Sequence, residues 1–304
     1  MHHPTHTRKI KKIWKSRPTI EGAGVHLRRA FGFDEVGQFD PFLLLDAFGS
    51  ENPEDFKLGF PWHPHRGIET ITYMLDGQVE HGDSMGHKGI ILPGDVQWMT
   101  AGGGIIHQEM PKGDARGQMW GFQLWANLPA KNKMMGPRYR EVKQQTIPVV
   151  KTADGASVRI IAGEINGVQG PVREIVIDPE FLDVSLPSSK TFKHAVKKGH
   201  TVFAYIFEGE AYFDEGRDAF GREAVGVNYF DMARPCMCQR DTLVLYGPGD
   251  TIAVTTENKP VRFLLVSGKP IEEPIAWYGP IVMNSQEELR EAFQEYNNGT
   301  FIKS

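Results

Sequence analysis

Apolar residues occur along this chain mostly in short runs that are rich in β-branched and aromatic side chains. Glycine and proline turns separate these runs, as they do around residues 68–74, 202–207 and 262–266. Runs of this length and composition are typical of strands rather than helices. A further run at residues 10–14, in which isoleucine and tryptophan are interleaved with lysines, predicts a solvated edge strand. The pattern therefore predicts an all-β protein.

One segment near the end of the chain has helical periodicity. Ser285-Gln-Glu-Glu288 reads as a capping box, in which serine and glutamate satisfy each other's backbone N–H groups. Apolar residues follow at helical spacing, and Asn297-Asn-Gly299 predicts the end of the helix. We therefore expect one short C-terminal helix.

Two short motifs occur twice in the same order, which predicts an internal duplication. Tyr73-Met-Leu-Asp-Gly77 matches Tyr205-Ile-Phe-Glu-Gly209, and Pro93-Gly-Asp95 matches Pro248-Gly-Asp250. The glycines of the two motifs are 17 positions apart in the first copy and 40 in the second, so the second copy would carry an insertion. A turn-rich connector follows the first copy, and the predicted domains are residues 1–140 and 141–304.

Composition and charge exclude several classes of function. The 304 residues carry 34 Lys and Arg against 38 Asp and Glu, a net charge of −4. This balance gives no electrostatic reason for direct binding to nucleic acid or to an anionic membrane. No apolar run approaches the roughly 18 residues of a membrane span. The two cysteines, Cys236 and Cys238, are too few for a disulfide framework, so we expect a reducing, cytoplasmic location.

The chemistry of the chain is concentrated in two pairs of residues. His63 and His65 share one face of a predicted strand, and His107 and Glu109 share a face of a later one. Either pair alone could be buried residues that hydrogen-bond the backbone. Because the two pairs have the same spacing, they favour a common metal site of three imidazoles and one carboxylate. We expect the other histidines to be surface or packed residues, namely His26, His81, His87, His194 and His200.

These motifs resemble those of cupin barrels and, more narrowly, of the pirin family. The first strand has the cupin spacing His-x-His-x3-Glu-x7-Gly, followed by Pro-Gly-Asp and a distal histidine. The pirin-like stretches span nearly the whole chain, at residues 40–46, 63–70, 102–109, 123–129 and 273–284. The resemblance implies a bicupin, with two stacked cupin-like β-barrels. It also implies one Fe(II)-type site in the N-terminal barrel, held by His63, His65, His107 and Glu109, and a C-terminal barrel without a metal site.

Several further residues are candidates for roles around this site. Many cupins take their carboxylate ligand from the position of Glu69, whereas pirins take it from the second motif. Because Pro64 and Gly67 favour a bulge, we expect Glu69 to support the site by holding an imidazole N–H or Arg66. Asp46, Gln123 and Trp125 are candidates for the wall of a substrate pocket, although core packing explains each of them equally well.

The donor set suits one divalent ion per chain, with Zn, Mn, Ni and Cu as alternatives to Fe(II). The resemblance implies a quercetin 2,3-dioxygenase-type reaction, in which O₂ cleaves a flavonol or a related enediol. Glu109 would take the proton of the substrate hydroxyl. The alternative is a redox-sensitive regulator that acts through contact with a protein partner and turns over no substrate. A third reading is a metal-bearing barrel with an unrelated small substrate.

We predict one tightly bound metal ion per chain, in the first half. Carrying the offsets of the four ligands over to the second copy gives Ala195, Lys197, Arg262 and Leu264. A lysine or arginine is cationic and offers no ligand atom, and the other two side chains have none. Metal analysis of purified protein tests this, and two tightly bound ions per chain would contradict it.

Overall fold

The computed structural model describes residues 6–226, 230 and 232–303. Within this part the strands, numbered in chain order, are β1 (Ile10–Lys15), β2 (Arg17–Glu21), β3 (Val25–Phe31), β4 (Phe42–Ser50), β5 (Phe60–His65), β6 (Ile68–Asp76), β7 (Gln78–Asp83), β8 (Lys88–Ile91), β9 (Val96–Thr100), β10 (Ile105–Lys112), β11 (Met119–Asn127), β12 (Arg138–Val142), β13 (Val149–Lys151), β14 (Ser157–Ala162), β15 (Glu164–Ile165), β16 (Val168–Gln169), β17 (Glu180–Leu186), β18 (Thr191–Ala195), β19 (Thr201–Ala211), β20 (Glu223–Val225), β21 (Cys238–Gln239), β22 (Thr242–Tyr246), β23 (Thr251–Thr255), β24 (Val261–Gly268), β25 (Ala276–Tyr278) and β26 (Ile281–Met283). The all-β prediction is confirmed.

Helices are few among the described residues. A single turn, α1 (Ala130–Lys133), was not predicted, and α2 (Gln286–Asn297) is the predicted C-terminal helix. The capping box of α2 forms as expected, because the hydroxyl of Ser285 accepts from the backbone N–H of Glu288, whose carboxylate accepts from the backbone of Ser285. No described helix is both long enough and apolar enough to span a bilayer.

Contacts divide the described chain into two compact units, each built from two stretches of sequence. The N-terminal unit is Arg17–Thr146 together with the residues from Ile271 onward. The C-terminal unit is Ile147–Pro270 together with the residues up to Ser16. The predicted domains, 1–140 and 141–304, do not include this exchange of the chain ends. The exchange follows from strand pairing, since β1 pairs with β22 in the C-terminal unit.

The N-terminal unit has two antiparallel sheets around an apolar core. The larger sheet has the order β12-β9-β6-β11-β4-β3-β2, and the smaller has the order β5-β10-β7-β8. The core between them combines apolar side chains of both sheets, including Phe48 and Met119 from the larger sheet and Val79 and Ile91 from the smaller one. Burial of these side chains is the main contribution to the stability of the unit.

The C-terminal unit centres on a nine-stranded sheet with the order β13-β14-β17-β24-β19-β22-β1-β20, and β21 pairs with β19. The prediction that residues 10–14 form a strand is confirmed, but the prediction of a solvated edge is wrong. β1 lies between β22 and β20, and its residues Ile10 and Trp14 are buried. The apolar face of this strand is covered by the C-terminal unit, which the local sequence could not show.

The topology corrects one of the two predicted repeat matches. β6 lies between β9 and β11, and β19 lies in the same way between β22 and β24, so the tyrosine motifs are equivalent. The Pro-Gly-Asp turns are not, because Pro93-Gly-Asp95 precedes β9 whereas Pro248-Gly-Asp250 precedes β23, the counterpart of β10. The second-copy positions inferred for His107 and Glu109 are therefore wrong. β23, Thr251-Ile-Ala-Val-Thr255, still contains no metal-ligating side chain.

The C-terminal segment packs back onto the N-terminal unit through a buried lysine. Lys133 of α1 is 1% exposed, and its ammonium donates to the carbonyls of Gly67 (3.0 Å) and Val282 (2.9 Å) and to the side chain of Asn127 (2.6 Å). Gly67 has a φ of 78°, and a Cβ there would lie 1.9 Å from the carbonyl oxygen of Val282. Glycine is therefore required for this close approach.

We expect Lys133→Met to lower the free energy of unfolding by about 2 kcal/mol, because it leaves buried carbonyl groups without their donor. Urea denaturation of the full chain measures this change. Lys131→Met is the matched control, since Lys131 lies on the same helical turn and is exposed. Equal stability of the two variants would show that the ammonium does not hold the segment.

Candidate metal centre

Three histidines are brought together by the pairing of β5 with β10. In this antiparallel pair His107 lies opposite His63, and Ile105 lies opposite His65. His63 and His65 point to one face because they are two residues apart on a strand. The register shifts between His107 and Glu109, so that Glu109 lies opposite Phe60. The structure thus places His63 and His65 beside His107, as the sequence predicts.

The three imidazoles converge closely enough to share one ion. One ring nitrogen from each histidine lies within 4.8 Å of the others, and the Nε2 atoms of His63 and His65 are 3.1 Å apart. Two nitrogens that each bond one ion at about 2.1 Å are themselves about 3 Å apart. His65 and His107 are both only 2% exposed. The geometry therefore matches a shared cation.

Backbone carbonyls fix the tautomer of two of these histidines. Nδ1 of His63 donates to the carbonyl of Pro61 (2.8 Å), and Nδ1 of His65 donates to the carbonyl of Pro280 (3.1 Å). A carbonyl oxygen only accepts, so Nδ1 carries the proton and Nε2 presents a lone pair. Such a bond to the distal nitrogen orients a metal-ligating histidine.

A buried ring nitrogen of the third histidine, His107, shows whether a metal ion fits this group. Nε2 of His107 is buried and has no hydrogen-bond partner in the described structure. An unsatisfied buried nitrogen is costly unless something binds it. Burial also holds the pKa values of His65 and His107 well below the usual imidazole range, and the neighbouring imidazoles add to the effect. These neutral, convergent nitrogens fit a divalent metal ion.

A cavity of about 670 Å³ opens onto His63 and His65. Asp46, Gln123 and Trp125, the predicted wall residues, all line it. Sequence reasoning missed the remaining aromatic lining, which comes from separate stretches of the chain: Phe33, Phe60, Trp62, Trp277 and Tyr278. The cavity is therefore flanked mainly by flat apolar rings, with a few polar groups between them.

Family models match both halves of the chain. Residues 24–126 match the pirin model, and residues 181–302 match the model of the pirin C-terminal cupin domain. The chain belongs to the pirin family. This pirin therefore has two cupin domains and a short C-terminal helix, which confirms the predicted fold class and the resemblance.

Relatives of this pirin align over nearly its full length. A pirin-like protein of Caulobacter vibrioides is 40% identical over 97% of this chain and 99% of its own length. A pirin-like protein of Solanum lycopersicum is 42% identical over 95% of this chain and 91% of its own. The crystal structure of quercetin 2,3-dioxygenase from Acinetobacter baumannii is 30% identical, with a TM-score of 0.83 over 97% of this chain and 99% of that one.

The predicted fourth ligand, Glu109, is held apart from the convergent group. It is buried on the same side of β10 as His107, but within the described part of the chain the group of ligand atoms comprises the three histidines and not Glu109. One oxygen of Glu109 accepts from the hydroxyl of Thr72 (3.0 Å), and the other accepts from the amide of Gln123 (2.9 Å). Each oxygen keeps a second lone pair. Its role as a ligand stays a prediction.

The prediction that Glu69 supports the site by holding an imidazole or Arg66 is wrong. β5 ends at His65 and Glu69 lies on β6, in the other sheet, so no bulge within one strand relates them. The buried carboxylate of Glu69 accepts from the indole of Trp98 (3.2 Å) and the hydroxyl of Thr100 (2.6 Å), not from an imidazole or from Arg66. Burial raises the pKa of Glu69, and these two donors act against that rise. Glu69 therefore makes its hydrogen bonds within the larger sheet.

Arg66 is also directed elsewhere than predicted. Its guanidinium donates to the carbonyl of Phe301 (2.8 Å), pairs with Glu295 (2.7 Å) and lies 4.2 Å from the centre of the Phe301 ring. Arg66 therefore anchors the C-terminal segment, which includes the Pro280 carbonyl that orients His65. These partners are too remote in sequence for any local pattern to reveal them.

We expect His107→Ala to weaken Co(II) binding by at least about 100-fold, since even outer partners of metal ligands contribute 10–100-fold. Equilibrium competition with a chelator measures this change. His26→Ala is the control, because His26 is exposed and lies in the same unit. Undiminished Co(II) affinity in His107→Ala would show that the convergent histidines are not the site.

Proposed function

We propose that this pirin binds one divalent metal ion, Fe(II) by preference, through His63, His65, His107 and Glu109. The observation that carries the proposal is the buried, unpartnered Nε2 of His107 beside two imidazoles whose lone pairs are already oriented. Three imidazoles and a carboxylate favour borderline transition-metal ions over Mg²⁺ and Ca²⁺, which prefer oxygen ligands. The bound ion would supply a Lewis-acid and redox centre for O₂ chemistry.

We further propose that the reaction is the O₂-dependent cleavage of a flavonol or a related enediol. The aromatic lining suits a flat aromatic substrate, because stacked and edge-on ring contacts favour such molecules. The cavity volume of about 670 Å³ lies within the range of small-molecule sites. The name of the Acinetobacter relative supports the same reaction class.

Glu109 would have a second task in this reaction. Its two oxygens accept hydrogen bonds from neutral donors, and each oxygen keeps a further lone pair. Glu109 lies behind Gln123, which lines the cavity, and a substrate hydroxyl that reaches past Gln123 could transfer its proton to this carboxylate as it binds. The walls meanwhile hold the substrate ring against Trp125 and exclude part of the water.

The first test is O₂ consumption. We expect Fe- or Mn-loaded protein to consume O₂ with quercetin, and His63→Ala to abolish uptake while the fold persists, because the core does not depend on the metal. An oxygen electrode and circular dichroism measure the two properties, and His26→Ala controls for loss of an unrelated histidine. Failure of every flavonol and catechol, with a protein partner whose binding differs between Fe(II) and Fe(III), would instead favour the regulator.

The second test separates the two tasks of Glu109. We expect Glu109→Gln to weaken metal retention by about 10–100-fold. We also expect turnover per bound iron to fall, because the amide cannot accept the substrate proton. Turnover per iron measured across pH in both proteins distinguishes the roles. Unchanged turnover per iron would make Glu109 a ligand only, and unchanged retention would remove it from the metal.

A further inference from the structure

A row of polar residues crosses the larger sheet of the N-terminal unit beside Glu109. In the strand registers Asp46 pairs with Gln123, Gln123 with Thr72, and Thr72 with Gln97. Asp46, Thr72 and Gln97 are buried, and Gln123 is half-buried. Buried polar groups are costly without partners, so the hydrogen bonds of these side chains fix their orientation inside the barrel.

The amide of Gln123 has only one orientation that satisfies its neighbours. The indole Nε1 of Trp125 donates to Oε1 of Gln123 (3.3 Å), and Nε2 of Gln123 donates to Glu109 (2.9 Å). An indole N–H only donates, and a carboxylate only accepts. Reversing the amide would therefore set donor against donor and acceptor against acceptor.

Trp125 contacts His65 directly and is linked to Glu109 through Gln123. Its ring meets the His65 ring edge-on, with centroids 5.0 Å apart and planes at 85°, and it lines the cavity. Through Gln123 the same indole reaches Glu109. Thr72 holds the other oxygen of Glu109, so both oxygens have a fixed donor. The cavity wall and the carboxylate are thus joined by two consecutive hydrogen bonds.

We propose that Gln123, oriented by Trp125, is a positioning residue that sets the carboxylate of Glu109 relative to the three histidines. The proposal rests on the proposed role of Glu109 as a metal ligand and proton acceptor. Loss of the Gln123 amide removes one of the two donors, so the carboxylate can rotate about its remaining bond to Thr72. Loss of the Trp125 indole N–H frees the amide to reverse.

The test uses the Co(II) form of the full chain, so that it requires no turnover. We expect Gln123→Met, which keeps the length of the side chain, to weaken Co(II) retention about 10-fold. Its Co(II) absorption spectrum should change in the same direction as that of Glu109→Gln. Trp125→Phe keeps a ring against His65 and should weaken retention about 3-fold, as expected for one neutral hydrogen bond.

A matched control separates positioning from packing. Trp98→Phe also removes an indole N–H that is bonded to a buried carboxylate in the same unit, but that carboxylate is Glu69. We expect its Co(II) spectrum and retention to equal those of the wild type. In the Glu109→Gln background, Gln123→Met should cause no further loss, because residues that act through one another are not additive.

Five outcomes would contradict the positioning role, the ligand assignment or the proposed reaction. A wild-type spectrum and retention in Gln123→Met, or full additivity with Glu109→Gln, would overturn the positioning role. Equal changes in Trp98→Phe would also overturn it. No effect of Glu109→Gln on Co(II) would overturn both the positioning role and the ligand assignment. Absence of flavonol turnover, with the Co(II) changes as expected, would count against the proposed reaction alone.

Discussion

The pairing of β5 with β10 is the constraint on which the site depends. β10 is hydrogen-bonded on both sides, by β5 and by β7, so its position along the smaller sheet is fixed. In this register His107 faces His63. A shift of one residue would turn every side chain of β10 to the opposite face and remove His107 from the group. The convergence of the three histidines is therefore a consequence of sheet register.

The C-terminal segment completes this arrangement from the far end of the chain. It supplies the Pro280 carbonyl to His65, and it contributes Trp277 and Tyr278 to the cavity. Two buried basic side chains, Arg66 and Lys133, hold it in place through carbonyl and carboxylate oxygens. A buried basic group is tolerated only with such partners. The histidine group and its cavity therefore depend on the C-terminal segment as well as on the strands that carry the histidines.

Three of the buried carboxylates of the N-terminal unit, Asp46, Glu69 and Glu109, have different partners, and these separate their roles. Asp46 makes a bidentate pair with Arg29, although burial still raises the pKa of Asp46 to about 6. Glu69 is held by Trp98 and Thr100, in the interior of the larger sheet. Glu109 accepts from neutral donors beside three neutral imidazoles. It is the carboxylate best placed to balance the charge of a cation there.

Local sequence determined the elements and the donor types of this pirin. Short runs of β-branched and aromatic residues, the capping box at Ser285 and the two pairs His63/His65 and His107/Glu109 each depend on neighbours within a few residues, so they could be read directly. Tertiary structure decided the partners. Glu69 and Arg66 bond residues on other strands and on the C-terminal segment, β1 is enclosed in the C-terminal unit, and Gln123 is joined to Glu109 across the barrel interior. Buried hydrogen bonds and strand pairing join residues that are distant along the chain, and no local pattern encodes such a pairing.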